Sequence, residues 1–185
     1  NVLPLLYDEH QHQARMTRDA LDYVITPLVL FVEHDAPLTP DRQIEWGGLI
    51  EALRTGEANV IRFCHEELIL PDYDHMMLDK EDRPVSGVPM RRTVQWSQRP
   101  HLASATYYRN MLEKNFHPES RTMIEDVMHG VVHNHYEREG DMAWLLYRLW
   151  IYTPHTDKLG IKRSYHLDGR QNDPKYDMDI KELER

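Results

Sequence analysis

Apolar residues recur at helical spacing along the first thirty or so positions. Leu3, Leu6, His10, Ala14, Thr17, Leu21, Val24, Leu28 and Phe31 fall on one stripe, the pattern of an amphipathic helix. The spacing predicts a helix from about Leu3 to about Glu33, bent near Pro27, where proline removes a backbone donor. A connection follows over His34–Leu38. Thr39, Pro40 and Asp41 then read as an N-cap, a first-turn proline and a first-turn acid. They open a second helix that Pro71 ends, with a stripe of Trp46, Ile50, Leu53, Glu57, Val60, Cys64 and Glu67. Gly47, Gly48 and Gly56 weaken that helix.

Residues 72–99 break the pattern. Pro84, Gly87 and Pro89 stand among mixed charges with little periodicity, which predicts a long loop carrying at most a short strand at Arg92–Trp96. A third helix is expected from Ser97–Pro100 to Phe116, and a fourth from His117-Pro118-Glu119 to Glu139. A fifth apolar piece runs from Met142 to Tyr152. Beyond Pro154 the chain is polar, with turn signals at Asp168-Gly169 and Asp173-Pro174. The expectation is all-α: an up-down bundle of about four to five helices over 1–153, with a polar tail over 154–185 packing on the domain or a partner.

Composition narrows the function classes. The 185 residues carry 31 acidic against 22 basic side chains, a formal net charge of −9. That balance argues against unaided nucleic-acid binding, which normally requires a basic face. No run reaches the roughly 18 apolar residues of a membrane span. The single cysteine, Cys64, allows no internal disulfide and no cysteine-based zinc site. One free thiol suits a reducing, cytoplasmic compartment; the chain starts at Asn1 rather than Met, so a removed leader or trimmed start stays open.

The 12 histidines point to metal coordination or proton chemistry. On the expected bundle, His10 faces inward from the first helix and Glu67 from the second. On the fourth, His129 and His133 are one turn apart, with Glu125 and Glu137 extending the line. His101 falls in the first turn of the third helix. Such side chains projecting into a bundle can hold a metal, and nitrogen with carboxylate ligands suits iron, with manganese or zinc as alternatives. Each also has an ordinary alternative. His10 could be a hydrogen-bonded core residue, Glu67 could pair with an arginine, and His129–His135 could be a solvated face.

The stretch Leu5-Leu6-Tyr7-Asp8-Glu9-His10, the piece Phe63-Cys64-His65-Glu66-Glu67-Leu68-Ile69-Leu70-Pro71 and the His133/Glu137 spacing resemble hemerythrin-like domains. The resemblance implies a four-helix bundle in which His10, Glu67, His133 and Glu137 are ligands of a non-haem di-iron centre. Two functions are then expected. One is a metal-binding bundle that binds or activates oxygen or acts on a small redox substrate, with His10, Glu67, His129, His133 and Glu137 as ligands and His101 and Glu125 in reserve. The other is a non-enzymatic helical chaperone or small subunit, in which the loop, the tail and the aromatic run Trp144–Tyr152 clasp a protein partner or a second copy.

Overall fold

Four apolar runs that helical spacing assigns to helices are strands in the computed structural model, which describes residues 2–39, 43–64, 74–152 and Ser164. In chain order the elements are α1 (His12–Asp22), β1 (Leu28–Phe31), α2 (Trp46–Arg54), β2 (Val60–Phe63), β3 (Arg83–Val85) and β4 (Val88–Arg92). They continue as β5 (His101–Ser104), α3 (Ala105–Asn115), α4 (Ile124–Glu139), α5 (Asp141–Tyr147) and β6 (Leu149–Tyr152). The strands form one six-stranded sheet in the order β1-β5-β2-β6-β4-β3. The fold is therefore α/β with a mixed sheet, and the all-α helical bundle is overturned.

Local chemistry explains the correction. Leu28-Val29-Leu30-Phe31, Val60-Ile61-Arg62-Phe63 and Leu149-Trp150-Ile151-Tyr152 are short, β-branched or aromatic runs. A run of that length fits a buried strand as well as a helix stripe, and the sheet supplies the backbone partners that decide it. The expected first helix stops at Asp22, and the residue before Pro27 is biased towards extended backbone, so the chain re-enters as β1. The expected second helix stops at Arg54, where Gly56 takes a positive φ of 76°, and restarts as β2. The expected third begins as β5 and turns helical where Ser104, extended at φ −66° and ψ 123°, accepts from the Tyr107 amide at 3.3 Å. In the fifth piece, Arg148 adopts left-handed backbone at φ 46° and separates α5 from β6.

The expected loop 72–99 is also corrected. Within it β3 and β4 form a hairpin, with Val85 opposite Val88. Its turn residues Ser86 and Gly87 have φ 48° and 79°, both positive as a type I′ turn requires. Beyond it, the hydroxyl and amide of Thr93 are tied to Met76 and Leu149. The expected tail 154–185 lies outside the described residues except for Ser164, whose amide donates to the Cys64 carbonyl at 3.2 Å.

β1 is antiparallel to β5, β5 is antiparallel to β2, and β2 is parallel to β6. Strands β1, β2 and β6 therefore end on the same side of the sheet, where β5 begins. Ile61, Phe63, Met90, Leu112 and Met128 are fully buried in the core, each contributing about 1.5–3 kcal/mol by leaving water. Trp46 of α2 stacks edge-on to Phe63, and Trp144 of α5 edge-on to Trp150, with ring centroids 5.7 Å and 5.2 Å apart. Arg18 of α1 donates to the carbonyls of Leu112 and Phe116 at the end of α3, and to those of His117 and Pro118. Arg109 of α3 returns to the carbonyls of Leu21 and Val24. Two arginines thus fix α1 against α3. No helix among the described residues is long and apolar enough to cross a membrane.

Candidate functional site

The chain leaves β1 through Val32 into Glu33-His34-Asp35, a short turn closed by the bridge between Glu33 and Ala36. Beside it, α1 and β1 enclose an open cavity of about 510 Å³. Its wall is apolar, from Met16, Leu21, Val24, Val29, Phe31 and Tyr108, and its polar end carries His10, His12, Gln13, Thr17, Glu33 and His34.

Glu33 sits at the centre of this polar end. Gln13 donates its amide to Glu33 at 2.5 Å, and the Gln13 carbonyl accepts from the backbone N–H of Ile124 at 2.9 Å. One glutamine therefore couples the carboxylate to the first residue of α4. Partial burial and the neighbouring Asp35 push the Glu33 carboxyl above its ordinary value. Glu125 adds to the rise, and the Gln13 hydrogen bond and His34 partly offset it. Glu125 is held in place by the Gln98 amide at 2.9 Å. His12 stands at the rim with φ 58°, left-handed backbone that costs a side-chain-bearing residue energy and that clusters at functional sites. Its ring lies edge-on to His10, the centroids 4.1 Å apart.

Below the cavity, His101 lies parallel to two rings that are themselves 6.4 Å apart. Its centroid is 4.9 Å from Phe31 and 5.6 Å from Tyr108, both stacked. Its Nδ1 is 2.8 Å from the Arg99 carbonyl, and its buried Nε2 has no hydrogen-bond partner among the described residues. Burial drives its pKa down to about 4, so the ring is neutral near pH 7. Tyr108 continues the layer to Gln98, which also accepts from the Trp96 indole at 3.0 Å.

The residues expected to bind metal separate. His10 is exposed on the segment before α1, and only it among them lines the cavity. His101 is fully buried at the start of β5. Glu125, His129 and His133 do share α4, with the two imidazoles stacked at 6.3 Å, but Glu125 turns to the Gln98 loop and Glu137 is exposed. Glu67 lies outside the described residues. Among the described residues, no three His, Cys, Asp or Glu side chains converge to hold a metal ion. The helical bundle is corrected by the sheet, and among the described residues the expected ligands are not brought together.

Helical spacing missed Glu33, His34 and Asp35 by placing the first at a helix end and the others in a connection. The available signal was the unbroken apolar run Leu28–Val32 closed by three polar residues, the mark of a strand leaving a sheet. No protein-family model, curated protein or solved structure matches the chain. The resemblance to hemerythrin-like domains stands on its short motifs alone.

Proposed function

We propose that the protein is an acid–base enzyme acting on a small, neutral, polyhydroxylated substrate of the sugar class. Glu33 exchanges the proton of a substrate hydroxyl. The observation that carries this reading is the placement of Glu33 at the polar end of the β1 cavity, held there by the Gln13 amide; burial and Asp35 raise its carboxyl, the direction that general acid–base catalysis by a carboxyl calls for.

The lining supports the substrate class. No lysine or arginine is among the described residues lining the cavity, so an anionic ligand has no counter-charge there. A carboxylate, a carboxamide, imidazoles and the Thr17 hydroxyl offer donors and acceptors for several hydroxyls, and the apolar wall suits the C–H face of a ring. Gln13 orients Glu33, while Asp35 and Glu125 hold its affinity for a proton up.

The test is a titration of isotope-labelled protein with glucose, galactose, mannose, N-acetylglucosamine and their disaccharides, followed by amide resonances. Saturable shifts at Gln13, Glu33 and His34 are expected with at least one of them; a panel without any such shift overturns the reading. For the sugar that binds, Glu33→Gln is expected to retain binding and lose turnover by about 10²–10⁴-fold. With Glu33 as base the active form is deprotonated, so the acidic limb of the rate profile lies above the ordinary carboxylate value of 4.5. Gln13→Ala removes a contact that lowers the Glu33 pKa, and moves that limb further up.

A further inference from the structure

A second pocket opens on the other side of α3, away from the carboxyl end of β1. It has a volume of about 790 Å³ and lies between α3, α4 and α5, within the range of small-molecule sites. Its charge is opposite to that of the chain. Lys114 and Arg138 line it, no aspartate or glutamate does, and neither cation has an ion pair among the described residues. In a protein of net charge −9, two unpaired cations beside the carboxamides of Asn110 and Asn134 form a local anion-attracting field.

Two further observations point to an occupant. Tyr107 lines the pocket, and its buried hydroxyl has no hydrogen-bond partner among the described residues, a donor left without an acceptor beside the pocket. Burial pushes the phenol well above its ordinary pKa, so it stays protonated. Gly130 sits in the middle of α4, where glycine weakens a helix. A Cβ built there meets only the Asn134 amide nitrogen, at 3.9 Å; the missing side chain is pocket space, not the relief of a clash. His135 is already engaged by the Tyr147 hydroxyl at 2.9 Å and the Glu139 carboxylate at 3.2 Å, which leaves anion recognition to Lys114 and Arg138.

We propose that this pocket binds a small organic carboxylate with a short acyl or aromatic body. The carboxylate meets Arg138 and Lys114, the amides of Asn110 and Asn134 complete its hydrogen bonds, and the body packs on Met111, Val131 and Leu146. The site is separate from the β1 cavity and does not depend on what that cavity binds.

The experiment titrates the isotope-labelled full chain with hexanoate and 3-phenylpropanoate, with hexanamide and inorganic phosphate as comparisons. Side-chain amide resonances of Asn110 and Asn134 and the backbone amide of Gly130 report the pocket. At least one carboxylate is expected to give saturable shifts there, at least tenfold tighter than hexanamide or phosphate. Lys114→Met with Arg138→Met is expected to weaken that binding at least tenfold, and Gly130→Leu, which fills the space and favours the helix, to abolish it. Absence of saturation with both carboxylates, equal affinity for hexanamide or phosphate, or undiminished binding in a folded Gly130→Leu protein overturns the proposal.

Discussion

Burying His101 beside Phe31 and Tyr108 takes an ionisable ring out of water, and the neutral ring is the form that fits. Its pKa falls from 6.5 to about 4 chiefly through burial. The unfolded chain therefore binds this proton more readily than the folded one below about pH 6.5. The stability contributed by the neutral ring is complete above that value and is lost as pH falls towards 4. His101→Phe keeps the stack and removes the proton, so the decline in melting temperature between pH 6.5 and 4 should flatten; an unchanged slope would remove His101 as its source. Asp79 acts lower on the scale. Burial alone would raise its carboxyl, but hydrogen bonds from Arg92 outweigh burial and hold it below the ordinary range. At this scale the sequence was half legible. The histidine count and Glu125 led to residues that do take part in the buried layer or its supports, whereas His10, placed inward by its spacing, is exposed. Periodicity aligns residues along a stripe without saying whether another element covers it.

Elements follow the same logic one level up. Helices α3 and α4 were legible because each carries an uninterrupted periodic run, and Glu125 and Asp126 in the first turn of α4 suit its dipole. Strands of four residues were not, since LVLF and LWIY contain too few positions to separate a period of 2 from one of 3.6. The glycines read as weakening the second helix have, in one case, a packing reason. A Cβ on Gly48 would lie 2.0 Å from Val88 Cγ2 and 2.9 Å from the Ser86 carbonyl. Only glycine lets α2 approach the β3–β4 hairpin this closely. Gly48→Ala should cost about 1–3 kcal/mol despite improving helix propensity. Gly47→Ala meets nothing within 4 Å and should be neutral or stabilising. Denaturant unfolding of the pair reads the difference; equal midpoints would show that α2 has room to withdraw.

At the scale of the whole molecule, β1 leaves a border of the sheet without a strand partner among the described residues. β1 ends the sheet, and its bonded partners alternate so that the Pro27 carbonyl accepts from Ala105 while the Leu30 backbone faces away from β5. Leu30 and Val32 are 45% and 44% exposed, and no charge or proline interrupts Leu28–Val32. Edges of this kind invite pairing with another strand. Leu30→Lys should lower concentration-dependent association in light scattering without lowering the melting temperature; association that persists would place it elsewhere on the surface.

The sheet order also sets a timetable. β6, the last strand of the chain to be described, lies at the centre, between β2 and β4. Until Leu149–Tyr152 leaves the ribosome, the sheet exists only as two unjoined pieces, β1-β5-β2 and β4-β3, each with an open inner border. Pairing Val60 with Leu149 closes a long loop, which slows folding. Synthesis at about 5–20 residues per second keeps those borders bare for seconds. The nascent chain is therefore most exposed to misassembly, and to chaperone capture, just before its final apolar run emerges.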